Sequence, residues 1–361
     1  MIPYFPNQMK RKKYFAVGLL VAAFGVVPTH LMARELLVQD SAQLTAALQG
    51  AQPGDVVILK NGNWKDAEIL VTKGGELGKP VEIRAENPGG TILGGSSKLE
   101  INAPYVTVDG LLFYQGAIAR DAVIQFNSHH GIVRHTAIVD YNPASFETAY
   151  YWVFFAGDYN LIDRCYFKGK TNIEPVIGNK FDGSQHNSVI HSFFKEMPYA
   201  EPNGREIFRI WGPGQFVRDD ENGAFFTIEG NLFDHADGEG AEIISLKSNH
   251  NLVAHNTVIA TRGCINIRRG NFNTIKENII LGQGVKGALG YRMTGEHNLI
   301  QGNFASGCEY GIEVSCGEFI GDTLTPRYQP TMKGVGTKPV PTRVPFYPQN
   351  REVTLVDNVM V

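Results

Sequence analysis

Four cations stand at matched places before a recurring asparagine. Lys247 lies four residues before Asn251, Arg269 four before Asn273, Arg268 five before it, and Arg292 six before Asn298. If the asparagines mark equivalent points of stacked units, these side chains line one strip of surface. Asn203, Glu239 and Glu242 enter from the unit below. Like charges gathered this closely are expensive unless an anion lies among them, which suits a polyanionic chain laid across the units. A glycoside hydrolase would carry two carboxylates across the bond it breaks; this strip is led by Lys and Arg. Breaking a uronate polymer by elimination needs a base for the proton at C5 and positive charge for the adjacent carboxylate. Lysine serves as base only when its amine is neutral, and the nearby Arg268 and Arg269 favour that form.

The elements that must position these residues form a repeat. A short apolar and polar unit recurs as VTVDGLLF from 106, GIVRHTAI from 131, NLIDRCYF from 160, NSVIHSFF from 187, FTIEGNLF from 226, NLVAHNTV from 251, NTIKENII from 273, NLIQGNFA from 298 and VTLVDNVM from 353. Successive starts differ by 25, 29, 27, 39, 25, 22, 25 and 55 residues. The two long steps read as coils with insertions, or as two coils in the last case. Apolar residues alternate within each unit, as in strands, and no unit has room for a crossover helix. Such a unit cannot bury its own apolar face and must stack on its neighbours. The fold class is therefore all-β, a single-stranded right-handed parallel β-helix. Asn231, Asn256, Asn278, Asn303 and Asn358 share the sixth position. They are expected to take the left-handed corner and to hydrogen-bond from coil to coil. Asp40 and Ser41 should cap a short helix through Leu44 and Leu48, ended by Gly50, that covers the first edge.

Lys10-Arg11-Lys12-Lys13, the apolar run from Tyr14 to Val27 and Leu31-Met32-Ala33 have the layout of a secretory signal peptide, assigned to residues 1–33, with the β-helix over 34–361. The chain is then exported, periplasmic or secreted, with no lasting insertion in the membrane. Removing 1–33, which holds four basic and no acidic residues, takes the net charge from −3 to about −7. That balance argues against nucleic acid as partner. Cys165, Cys264, Cys308 and Cys316 fit no zinc spacing and read as small buried residues. The segment 318–350, rich in Pro, Gly and Thr, shows no evident cap.

Over residues 50–305 the chain resembles polysaccharide lyase family 6, the chondroitinase B-like alginate lyases. The resemblance is carried by NGNWKDAEI, GKPVEIRAENPGGTILGGSSKLEI and VTVDGLLFYQG, then by NGREIFRI at 203–210, EIISLKS at 242–248 and INIRRGNFN at 265–273. The family's catalytic Lys and Arg are 21 residues apart, as Lys247 and Arg268 are here. The resemblance implies β-elimination on an acidic polysaccharide, most often alginate, with Lys247 as base and Arg268 as acid or charge stabiliser. Arg292 then binds a substrate carboxylate, with Arg269, His250 and His297 as further substrate-binding positions. It also implies calcium on Asn203 and a Glu-x-Glu pair. Glu242 supplies one Glu, but Gly240 stands where the other is expected, so Glu239 serves only if an inserted residue bulges the strand. A second departure puts Arg269 where the family has histidine. The substrate is expected to be an acidic polysaccharide and the protein a monomer or weak dimer. The competing readings are a β-helix that binds acidic glycans without catalysis, a dermatan sulfate or chondroitin-type lyase, and a hydrolase using Asp219, Asp220 and Asp237.

Overall fold

The computed structural model describes residues 33–182, 184–201, 203–214, 219–315 and 350–361, with two short strands at Pro326–Tyr328 and Arg343–Pro345. The segment up to residue 32, read from the sequence as a signal peptide, and most of 318–350 lie outside the described residues.

Each coil contributes one strand to each of three parallel sheets, which among the described residues hold 12, 11 and 10 strands. This is the right-handed parallel β-helix expected from the repeat. The first half of each unit lies in the 12-stranded sheet and the second half in the 11-stranded sheet. The 10-stranded sheet, from Glu68–Val71 to Ile312–Val314, carries Lys247, Arg268, Arg269 and Arg292. The 55-residue step is one coil with an insertion, not two, because Leu299 pairs directly with Thr354. Inward side chains fill the bore in columns; Phe167, Phe194 and Phe233 stack with centroids 5.0 Å apart.

Two corner columns set the coils in register. At the corner between the first two sheets, Asn231, Asn256, Asn278, Asn303 and Asn358 form the ladder: each amide nitrogen donates to the next Oδ1 at 2.9–3.0 Å. The left-handed conformation falls elsewhere than expected. It belongs to the residue before each asparagine, for example Gly230, His255, Glu277 and Asp357, with φ between 54° and 66°. The asparagine side chain is thereby turned inward, where its amide is buried and fully used. Four of these asparagines are buried almost completely, Asn231, Asn256, Asn278 and Asn303.

The second column escaped the sequence reading. Tyr105, His130, Tyr159, His186, Phe225, His250, Phe272 and His297 stack ring on ring, with centroids 4.6–5.2 Å apart. Every one of them has a positive φ of 48° to 60°. A left-handed non-glycine residue costs about 1–2 kcal/mol, and each stacked pair returns about 0.5–1.5 kcal/mol. The N-terminal edge is covered as expected by a helix, Ser41–Gln49. Asp40 Oδ1 accepts from the Gln43 amide at 2.8 Å, and Leu44 and Leu48 are buried. Cys165 and Cys264 are buried free thiols and Cys308 is half-buried.

Candidate functional site

Strand Glu242–Lys247 ends in the lysine of the cationic strip. Leu246 points into the core, so Lys247 points out of the sheet. Its coil neighbours are Trp211 below and Arg269 above. The lysine Nζ lies 4.5 Å from the centroid of the Trp211 ring, which leaves the side chain only 14% exposed. Arg268 is the extra residue of a bulge: Leu246 pairs with Ile267, and Lys247 with Arg269. The bulge turns two successive arginines outward, where a regular strand would alternate. Arg292 stands on the same face, one coil beyond Asn266, with Nε 3.6 Å from Glu313 and 3.2 Å from the Ser315 hydroxyl.

Sequence reasoning placed arginines beside the lysine amine. The structure gives it a different nearest charge. Glu206 Oε1 lies 3.2 Å from Lys247 Nζ, and Glu206 is 1% exposed. The second carboxylate oxygen of Glu206 is 3.5 Å from Arg209. Arg209 continues to Glu174 and accepts company from Tyr151, whose hydroxyl takes a hydrogen bond from Nη2 at 2.9 Å. The residue was missed because its partner is set by pairing across coils. Phe208 pairs with Ile244, so two residues earlier Glu206 comes beside Glu242. The only sequence signal was the Glu inside NGREIFRI.

Glu206, Glu239 and Glu242 bring one carboxylate oxygen each within 4.8 Å of one another, all three buried. The Gly240 departure explains how Glu239 arrives. Gly238 and Gly240 both take left-handed φ, 56° and 74°, and the Gly240 amide closes a turn onto the Asp237 carbonyl at 2.8 Å. This turn brings the Glu239 carboxylate into the cluster. There it accepts from the Gly204 amide at 2.6 Å and the Arg205 amide at 3.3 Å. Glu242 accepts from the Asn266 amide and lies 3.6 Å from Arg268. Asn203 is exposed, at the start of the loop that supplies those two amides. Burial, and then the charge of Glu206, raise the Glu239 carboxyl to about 7. Buried oxygens Glu239 Oε1 and Glu206 Oε2 have no hydrogen-bond partner. Three close carboxylates with orphaned oxygens match the all-oxygen donor set of a hard divalent cation.

Two sequence candidates are placed otherwise than expected. His250 is sandwiched between Phe225 and Phe272, with Nε2 2.8 Å from the Asp220 carbonyl. His297 stacks on Phe272 and pairs with Glu352 at 2.9 Å. Both belong to the aromatic corner column, His250 stacked on both ring faces and His297 on one. The acids suggested for a hydrolase are also committed: Asp219 binds Asn222 in its own loop, and Asp237 accepts from the Arg262 amide at 2.9 Å.

Comparison with known proteins identifies the family. The family model for chondroitinase B matches residues 38–310. The PL6 family polysaccharide lyase Pedsa3628 from Pseudopedobacter saltans is similar at 42% identity and a TM-score of 0.81, over 90% of this chain and 76% of that one. The PL6 family alginate lyase AlyGC is 30% identical with a TM-score of 0.72, over 77% of this chain and 40% of its own. A mannuronic acid specific family 6 lyase from human gut microbiota is 27% identical with a TM-score of 0.76, over 90% of this chain and 74% of that one. No curated protein sequence matches. Among the described residues no helix is long and apolar enough to cross a membrane. With a family model spanning most of the β-helix, the chain belongs to polysaccharide lyase family 6, the chondroitinase B-like polysaccharide lyases.

Proposed function

We propose that the protein is an alginate lyase that acts by β-elimination, with Lys247 as base and Arg268 as charge stabiliser. The observation that carries this reading is a lone lysine amine held between an aromatic face and a carboxylate, on a strip that also presents Arg268, Arg269 and Arg292. Alginate is favoured over other uronates because AlyGC is named an alginate lyase and the gut relative is named mannuronic acid specific.

In this reading Lys247 Nζ takes the proton from C5 of the bound uronate. The C5–H electron pair forms the C4=C5 double bond, and the C4–O pair leaves with the glycosidic oxygen, which takes up a proton from the Lys247 ammonium or from water. Arg268 faces negative charge as it develops, and Arg292 holds a carboxylate of the polymer. Glu206 orients the amine, and Trp211 shields it from water. Glu206, Glu239 and Glu242 would hold calcium, which when bound supplies neutralisation of the carboxylate next to C5. Arg209 pairs with Glu206, and Glu206 pairs with Lys247, which holds the lysine on the strip. Export through residues 1–33 would bring the protein to such a polymer.

The test is ultraviolet absorbance of the unsaturated uronate product, followed on polymannuronate, polyguluronate and dermatan sulfate, with and without a chelator. A rise on the alginate polymers supports the proposal. A rise on dermatan sulfate alone reassigns the substrate, and no rise on any polymer overturns the catalytic reading.

A further inference from the structure

The face that carries Lys247 continues towards the N-terminal coils, and there it opens into a second hollow. Outward positions run in register from Ser245 to Arg209, Gly178, Phe154 and Gln125. At the usual coil spacing Phe154 is about 14 Å and Gln125 about 19 Å from the strand of Lys247. Around these two lies a cavity of about 340 Å³, bordered also by Arg120, Asp121, Tyr151 and Glu174. A volume of this size falls within the range of small-ligand sites.

Its lining has the chemistry of a sugar site. Phe154 and Tyr151 present rings 4.9 Å apart at 48°, an apolar angle for a pyranose face. Asp121, Glu174 and Gln125 offer acceptors and an amide for hydroxyls. Arg120 is 86% exposed, with Asp121 at 3.4 Å as its counter-ion, so its guanidinium can meet an incoming carboxylate. The Gly178 position lets the Tyr151 ring lie flat on the strand at the edge of the hollow: a Cβ there would lie 2.4 Å from that ring. The hollow is also joined to the centre. Tyr151 binds Arg209, Arg209 pairs with Glu206, and Glu206 pairs with Lys247. Between the two places Phe181 and Trp211 meet at 5.0 Å and continue the aromatic track.

We infer that this hollow is a distal subsite for a uronate unit of the same polymer, with its ring on Phe154 and Tyr151 and its carboxylate on Arg120. The inference rests on the reading of the site as a uronate-polymer site. A sugar unit spans roughly one coil spacing, so the subsite is three to four units from the reacting bond. It selects long chains over short fragments.

Affinity for mannuronate oligosaccharides of graded length decides the matter, measured by calorimetry in the Lys247→Ala background so that nothing is cleaved. Phe154→Ala and Arg120→Ala should each weaken chains of six or more units by about tenfold and leave trisaccharides unchanged. Arg120 is exposed, so its variant tests the site without disturbing the bore, and Phe154→Leu retains bulk while removing the ring. Equal losses for short and long chains, or no loss for either, overturn the inference while leaving the centre intact. No binding of any uronate chain overturns the functional reading beneath it.

Discussion

Replacing Glu239 by glutamine should make the cation-free protein more stable, although it alters a residue of the proposed centre. Burial and Glu206 raise the Glu239 carboxyl from 4.5 to about 7 in the folded chain. Because the folded value is the higher one, the stability linked to this group is fully present below about pH 4.5. It is lost as pH rises through about 7, where the native state must give up a proton that it holds more tightly than the unfolded chain does. The full shift corresponds to about 3 kcal/mol near pH 8 and to under about 1 kcal/mol near pH 5. Glutamine carries no such penalty. For the roughly 290 described residues the unfolding entropy is about 0.6 kcal/mol per degree, so Glu239→Gln should raise Tm by about 5 °C near pH 8 and about 1 °C near pH 5. The assay is thermal unfolding followed by circular dichroism in chelator at both pH values. Calcium should then raise Tm of the parent and leave the variant nearly unmoved. A variant that melts at or below the parent near pH 8 in chelator, or a gain independent of pH, would refute the view that these carboxylates repel one another in the absence of a cation.

Lys247→Ala should reduce turnover by at least about a hundredfold while Tm stays within a few degrees, because Glu206 retains Arg209; activity close to that of the parent would remove Lys247 as the base. Arg292→Ala should raise KM more than it lowers kcat, as expected of a residue that holds a carboxylate away from the reacting bond, and steady-state kinetics on alginate check this. Asn278→Ala removes hydrogen bonds to the Val253 and Lys276 carbonyls and to two ladder neighbours, at a cost of about 3–5 kcal/mol. Asn358→Ala, at the half-buried end of the same ladder, should cost about 1 kcal/mol; equal losses in denaturant unfolding would show that the ladder is not what holds these coils.

How far the sequence reached differs from residue to residue. The asparagine column was legible because the same residue recurs at one position of the unit, and the ladder bonds follow from that repetition. Its backbone assignment was displaced by one residue, since a period shows which positions are equivalent and not which of two neighbours takes the left-handed turn. The aromatic column was equally periodic, but it mixes Tyr, His and Phe, so identity did not reveal it. His250 and His297, expected at the substrate, were drawn into that column by stacking.

By itself the sequence determined the architecture and the address of the chemistry. A unit of strands and turns repeated every 22 to 29 residues must stack to bury its apolar face. The stacking then sends Lys247, Arg268, Arg269 and Arg292 to one sheet. The tertiary structure decided what each of them touches. Glu206 met Lys247 through a pairing between coils 41 residues apart. A bulge at Arg268 turned two adjacent arginines to the same side. The left-handed turn at Gly240 restored the carboxylate that the motif had seemed to lack. Period is a local property and can be read along the chain. Register, bulge and contact depend on how separate coils settle against one another, and only the folded bore fixes them.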